Sequence, residues 1–429
     1  MNLKCEKGIT GGTVTAIPSK SEIHRILIAA AFADTETEIR TVSLKAPSAD
    51  MKATMDCLNS AGAKIQFNNG SFLVKPFKKD NNGNFLVTDN PLLNCNESGS
   101  TLRFILPVIS AICNDFQITG SGRLPERPLK ALLMALESGG ISFSKEKIPF
   151  RVTGSLKNGT FHIPGNISSQ YITGLLLALP LLKGDSEVIL DTELESSPYI
   201  DITIHTLNLF GINIVENKNG WFIKGSQQFK SPGIIDAGGD WSNGAFFLTL
   251  GALSPIPVTV KGLNIASCQG DKRILNILKN YGAKIDILND SITVKKDKLN
   301  GQVISLKEIP DLLPILSIIA AFSKTDSLFT DGERLRLKES DRLLTVSKMI
   351  EDLGGKAILE GNNLRIKGTG GLKGGTVNSF NDHRIVMAAA VAGAFTASPV
   401  IIENWEAVNK SYPDFFKDFE NLGGTFNGF

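Results

Sequence analysis

The residues of this 429-residue chain that could do chemistry are cations gathered where helices should begin. Lys20 and Arg25 fall in Pro18-Ser19-Lys20-Ser21-Glu22-Ile23-His24-Arg25. Arg103 lies one turn into a second apolar segment, and Arg127 sits in Leu124-Pro125-Glu126-Arg127-Pro128. Arg334, Arg336, Lys338 and Arg342 crowd the stretch from Gly332 to Arg342. Arg384 follows Asn381-Asp382-His383, and Lys410 opens Lys410-Ser411-Tyr412-Pro413-Asp414. A lone Arg or Lys is a solvated surface charge about three times in four. Arg25 and Arg384 differ, because apolar runs such as Ile385-Val386-Met387-Ala388-Ala389-Ala390 follow at once. A charge placed there needs a partner or a bound anion. Arg grips carboxylate and phosphate with two parallel bonds, whereas Lys offers a compact charge whose pKa burial can lower. Two carboxylates of acid–base type, Asp311 and Glu339, stand at a helix start and beside Lys338. The chemistry to expect is capture of small anions with proton transfer close by.

Other chemistries find no support. A G-x-x-x-x-G-K-[ST] loop, a dinucleotide fingerprint after a strand, H-E-x-x-H and G-x-S-x-G are all missing from the sequence, and Gly368 to Gly375 reads as a turn. The four histidines, His24, His162, His205 and His383, are scattered. The sequence therefore predicts neither a metal nor an organic cofactor.

The elements that must position these residues come in six copies. A helix-like segment ends in a small or apolar residue and Gly, then a short strand follows, with landmark glycines at 62, 139, 211, 282, 354 and 423. The intervals are 77, 72, 71, 72 and 69 residues. Each glycine fits a position just past a helix, where positive φ costs Gly nothing. Each unit also holds a more apolar helix, predicted at 22–33, 100–112, 169–182, 242–253, 311–322 and 382–395. Helices this apolar belong inside a domain. All six begin with cap-type residues, such as Ser19, Ser98, Ser168, Asp240, Asp311 and Asp382. Three units per domain predict three parallel buried helices, with positive ends aimed at one cleft between two domains.

Bulk properties agree with an α/β enzyme of two domains. Hydrophobic residues make up 42% and charged residues 21%, a balance that excludes disorder. A net charge of +2 gives no general pull toward nucleic acid or membrane. Five widely spaced cysteines predict free thiols, with Cys113 read as a core thiol in an apolar helix. The N-terminus lacks an apolar run after its charges, and the longest apolar stretches, such as 312–322, fall short of the ~20 residues that span a bilayer. The expectation is a cytoplasmic monomer that binds neither nucleic acid nor membrane.

At these residues the chain resembles the 5-enolpyruvylshikimate-3-phosphate synthase family of enolpyruvyl transferases. The motifs fall in order along the whole chain: P-S-K-S-E-I-H-R (18–25), P-E-R-P (125–128), S-S-Q-Y (168–171), S-P-Y-I-D-I-T (197–203), I-P-D (309–311), K-E-S-D-R (338–342), N-D-H-R (381–384) and K-S-Y-P-D-F (410–415). The resemblance implies a two-domain inside-out α/β barrel of six pseudo-repeats with buried parallel helices. It divides the chain into residues 21–235 and residues 1–20 with 236–429. It also implies transfer of enolpyruvyl from phosphoenolpyruvate to the 5-hydroxyl of shikimate 3-phosphate, in the route to chorismate and the aromatic amino acids.

Carried over by motif, Lys20, Ser21, Arg25, Ser168, Ser169, Gln170, Ser196, Asp311 and Lys338 would hold shikimate 3-phosphate. Lys20, Gly99, Arg127, Gln170, Arg342, Arg384 and Lys410 would hold phosphoenolpyruvate. Lys20, Asp311 and Glu339 are the candidates for proton transfer. This chain departs from the family pattern twice. Glu97-Ser98-Gly99-Ser100 stands where Asn-Ala-Gly-Thr is common, which puts a carboxylate near the expected phosphoenolpyruvate pocket and bears on sensitivity to glyphosate, the family's inhibitor. Arg334 stands where Asn is common.

Three rival readings can be weighed on the same residues. A sister enolpyruvyl transferase acting on UDP-N-acetylglucosamine places a catalytic Cys where this chain has Gly122. A binding protein for phosphorylated metabolites would explain the cations but not Asp311 and Glu339. An RNA-end-processing enzyme would need a wider basic surface than +2 allows.

Overall fold

The computed structural model describes residues 2–428. Its helices fall in pairs, an apolar one followed by an amphipathic one. The pairs are α1 (Lys20–Ala31) with α2 (Ala49–Ala61), α3 (Gly99–Ser110) with α4 (Lys130–Ser138), and α5 (Ser169–Ala178) with α6 (Ser197–Leu209). Then come α7 (Trp241–Leu253) with α8 (Ile274–Tyr281), α9 (Leu313–Ala321) with α10 (Arg342–Asp352), and α11 (His383–Gly393) with α12 (Phe415–Asn421). Every residue of α9 and α11 is buried, and of α7 all but Ser242. The six apolar segments therefore do form inner helices, as their composition requires.

Each pair serves a four-stranded sheet of one recurring design. Leu92–Asn94 lies parallel to Asp115–Thr119 across α3, and Phe150–Gly154 then pairs antiparallel with Asp115–Thr119 and with Ile141–Phe143. Two sheets borrow strands from the N-terminus. Gly12–Thr15 runs parallel to Val258–Lys261, and Asn2–Glu6 lies antiparallel between Val400–Glu403 and Thr425–Gly428. In exchange, Ile234–Asp236 runs parallel to Thr37–Arg40. The chain thus forms two compact units: Lys20–Ala237, and the residues up to Ser19 joined to those from Gly238 on. Each has a core of its own, one around Ile105, Leu176 and Phe116, the other around Leu316, Val386 and Phe247. Truncating such side chains to Ala costs about 2–5 kcal/mol.

Starts and stops follow local chemistry. Ser98, Ser168, Asp240 and Asp382 each accept a backbone N–H of the first turn of α3, α5, α7 and α11, at 3.2, 3.3, 2.8 and 3.0 Å. Asp311 does not play this part. The chain there makes a short 3-10 turn, Pro310–Leu312, before α9, and the Asp311 carboxylate turns to cations instead. Five of the six landmark glycines adopt positive φ, from 74° at Gly211 to 122° at Gly62. Gly139 does not. It caps α4 at φ −84°, and Gly140 takes the left-handed turn at φ 94°. A side chain at 139 would strike Leu156 at 2.7 Å and Phe161 at 2.9 Å, so packing is what requires glycine there.

The cysteines are free thiols. Cys113 departs from expectation: it lies past the end of α3, half-buried, and donates to the Asp115 carbonyl at 3.3 Å. The helix ends at Ser110, with Ala111 as its cap, before reaching it. Among the described residues no helix is long and apolar enough to cross a membrane.

Candidate active site

In the unit Lys20–Ala237, the N-termini of α1, α3 and α5 come together. Lys20 opens α1, and its ammonium is paired with Asp50 of α2 at 2.7 Å. Gly99 opens α3 beneath two guanidiniums. A Cβ on Gly99 would stand 2.6 Å from Nη1 of Arg103 and 2.6 Å from Nη1 of Arg127. Two guanidiniums and the backbone N–H groups of the α3 start thus face one point, an arrangement with the charge and donors to take an anion. Gln170, in the first turn of α5, ties the pieces together. It accepts from Arg103 Nη1 at 2.7 Å and donates to Ser100 Oγ at 2.9 Å. Arg103 also donates to the Pro128 carbonyl at 3.2 Å, which fixes it against the loop carrying Arg127.

Ser168 caps α5 and Ser169 is its first residue. Ser196 precedes α6 with φ 56°, a left-handed conformation rare for a residue with a side chain. Arg25 has a different position from Lys20 although they are five residues apart. It is buried, and its guanidinium donates to Thr203 Oγ1 at 2.8 Å, the Tyr199 carbonyl at 3.0 Å, Thr173 Oγ1 at 3.2 Å and the Ser21 carbonyl at 2.6 Å. It also lies 4.9 Å from the Phe104 ring centre, so α1, α3, α5 and α6 all meet at this side chain.

In the other unit the centre is Arg342, 1% exposed at the start of α10. Three carboxylates surround it: Asp311 at 2.5 Å, Glu339 at 2.6 Å and Asp382 at 2.8 Å. Asp311 is shared, with Lys338 Nζ and Arg384 Nη2 each at 3.4 Å. Arg384 donates to the Asp311 carbonyl as well, at 3.2 Å. Lys410 donates to the Asn381 carbonyl at 2.8 Å, next to the cap of α11. Arg334, also buried, donates to the Lys307 carbonyl at 3.2 Å.

Burial and charge tune these groups. Burial lowers the pKa of Lys338, with Asp311 pulling it back up. Asp271 is enclosed nearby. Burial and then the Asp311 carboxylate push it up to about 7, against the pull of Arg384. Arg342 stays charged, since its three carboxylates outweigh its burial and hold its pKa well above the ordinary value.

Comparisons with known proteins give the family of the chain. Residues 7–419 fit the family model of EPSP synthase (3-phosphoshikimate 1-carboxyvinyltransferase). The chain belongs to the EPSP synthase family. The 3-phosphoshikimate 1-carboxyvinyltransferase of Clostridium novyi is 41% identical over 99% of this chain and 98% of its own length. That of Clostridium kluyveri is 40% identical over 96% and 95%. In fold, the chain is similar to EPSP synthase from Acinetobacter baumannii, with TM-score 0.82, 23% identity and 99% of both chains covered. It is likewise similar to the enolpyruvyl transferase NikO from Streptomyces tendae, with TM-score 0.77, 15% identity and 99% and 98% covered.

The structure groups the expected residues by unit. Gly99, Arg127 and Gln170 cluster around the α3 start, with Lys20 held at Asp50. Asp311, Lys338, Glu339, Arg342 and Arg384 form one ion-pair network in the other unit. Residue-type reasoning left Asp50, Asp382 and Asp271 out of the site, although Asp382 was visible as a cap. Arg103 was visible as a cation one turn into its helix, but its contact with Gln170, 67 residues on, was not.

Proposed function

We propose that this chain transfers the enolpyruvyl group of phosphoenolpyruvate to the 5-hydroxyl of shikimate 3-phosphate, releasing phosphate. The observation that carries this reading is a family match over residues 7–419, which includes every cation of both clusters. Ser168, Ser169 and Ser196, with Lys20, are assigned to the shikimate phosphate. Ser21, Arg25, Gln170, Asp311 and Lys338 are assigned to its ring hydroxyls and carboxylate. Arg127, Arg342, Arg384 and Lys410, with Lys20, Gln170 and the backbone at Gly99, are assigned to phosphoenolpyruvate.

The chemistry asks for what these residues supply. Protonation of the methylene makes the enol phosphate carbon of phosphoenolpyruvate electrophilic, and the 5-hydroxyl attacks it while losing its proton. Loss of a proton from the new methyl group and departure of phosphate then regenerate the double bond. One group must give and take the methylene proton, and another must take the hydroxyl proton. Lys20, Asp311 and Glu339 are assigned to these transfers. Asp311 and Glu339 each have a carboxylate oxygen on Arg342, which holds them in fixed geometry. The several cations offset repulsion between substrate phosphates and carboxylates and fix the reacting atoms near attack distance.

The enzyme is assigned to the cytoplasm as a monomer that uses no metal or organic cofactor. Phosphate release tests the reading. It should appear with phosphoenolpyruvate and shikimate 3-phosphate. It should not appear when UDP-N-acetylglucosamine replaces the shikimate, and turnover of that sugar nucleotide would favour the sister activity instead.

A further inference from the structure

Beneath Lys20 and Gly99 runs a buried line of hydroxyls that the assignments above do not use. His24, one turn after Lys20 on α1, places Nδ1 2.7 Å from Thr54 Oγ1 on α2. Thr54 Oγ1 is 2.7 Å from Thr101 Oγ1 on α3, and Thr101 donates to Ser98 Oγ at 2.8 Å. Ser98 is the cap of α3, taking the Thr101 N–H at 3.2 Å. A second rung runs alongside: Lys20 pairs with Asp50, one turn before Thr54, and Thr101 Oγ1 also reaches the Asp50 carbonyl at 3.4 Å. All four members of the first line are buried.

The direction of the line follows from its last bond. Since Thr101 donates to Ser98, it accepts from Thr54, and Thr54 accepts from His24. Nδ1 therefore carries the imidazole proton. Nε2 is left buried with no hydrogen-bond partner among the described residues, beside the edge of Phe104 at a ring separation of 6.3 Å. A buried acceptor without a donor is costly and rare. Retaining histidine there makes sense if the bond on its other nitrogen is what matters. Burial, then Lys20 and Arg25, push its pKa well below the ordinary value, so the ring is neutral with a single N–H to give.

We propose that His24, Thr54, Thr101 and Ser98 form a positioning relay that fixes the first turn of α3 against α1, and so holds Gly99 and Arg103 in place for phosphoenolpyruvate. The proposal rests on the substrate assignment above. None of the four is a catalytic residue. They act through the α3 start, where a small shift would move Arg103 off Gln170 and spoil the anion site over Gly99.

Thr54→Val tests this, because valine keeps the shape and removes the hydroxyl. The relay predicts a KM for phosphoenolpyruvate raised on the order of tenfold, with kcat within about threefold and shikimate 3-phosphate binding by calorimetry within about twofold. Thr54→Ser, which restores the hydroxyl, should bring KM back. Thr101→Val cuts the same line one link further on and carries the test if Thr54→Val does not fold. The double variant should be no worse than the poorer single one. An unchanged KM in a folded single variant, equal weakening toward both substrates, additive effects in the double variant or no rescue by serine would each overturn the relay. A wild-type chain inactive on these substrates would instead overturn the assignment on which the relay rests.

Discussion

Arg342 and Asp311 are joined by a 2.5 Å bond between a buried guanidinium and a carboxylate that also faces Lys338 and Arg384. Three cations, Lys338, Arg342 and Arg384, thus meet three carboxylates, Asp311, Glu339 and Asp382, in one network. Removing Asp311 leaves Arg342 paired with Glu339 and Asp382, so its charge is not orphaned. Asp311→Ala should therefore destabilise the fold by roughly 1–3 kcal/mol, the cost of lost charged hydrogen bonds. Asp311→Asn, which keeps the shape, should lower melting temperature less while still reducing turnover. Calorimetry and steady-state kinetics on both variants check this.

Arg384→Ala should abolish productive use of phosphoenolpyruvate while leaving shikimate 3-phosphate binding nearly normal. A charged hydrogen bond contributes about 1.5–3 kcal/mol, so losing a two-bond grip should lower kcat/KM for phosphoenolpyruvate roughly a hundredfold or more. Equal weakening toward shikimate 3-phosphate would mean that the cations are divided wrongly between the substrates.

Glu339→Gln separates chemistry from structure. The amide oxygen can still accept from Arg342, but the proton-transfer group is gone. Turnover should fall by about 10²–10⁴-fold with KM values little changed, as expected for loss of a general acid–base. A Gln variant with wild-type kcat would remove Glu339 from the proton path.

Gly99→Ala puts a methyl group 2.6 Å from both Arg103 and Arg127. The guanidiniums are flexible enough to move aside, so the protein should fold, with KM for phosphoenolpyruvate increased and melting temperature changed little. A larger loss of stability than of affinity would show that the crowding is structural.

How much of this was legible in the sequence depends on the distance over which each feature acts. The six repeats, the inner helices and four of their caps are set by residues within one turn, and Ser98, Ser168, Asp240 and Asp382 could be read directly. Features set by packing could not. Glycine is required at 139 by the packing of Leu156 and Phe161, which arrive from a later loop and strand, while Gly140 takes the left-handed turn. Ile234–Asp236 closes a sheet on Thr37–Arg40 across almost two hundred residues, and no local pattern marks it. In the site, Arg25 and Arg384 were visible because a charge before an apolar run is conspicuous. Thr54 on α2 and Thr101 on α3 were not, since a buried helical threonine gives no sign of which hydroxyl it will meet.

Asp271 gives a pH signature. Its pKa is about 7 in the folded chain, against ~3.9 in an unfolded one, so the folded state holds a proton that the unfolded state has lost across that interval. Stability from this group is therefore full below about pH 4 and declines as pH rises toward 7. Asp271→Asn, which imitates the protonated acid, should flatten that part of the melting-temperature profile and raise stability at pH 8. A profile of unchanged slope would place the titration elsewhere.

The most direct test of the account follows the phosphorus atoms. ³¹P NMR of the chain with phosphoenolpyruvate and shikimate 3-phosphate should show the phosphoenolpyruvate signal replaced by inorganic phosphate. The shikimate phosphomonoester should persist, shifted, in a new product. Persistence of both substrate signals at high enzyme concentration, or loss of phosphate from the shikimate instead, would contradict it.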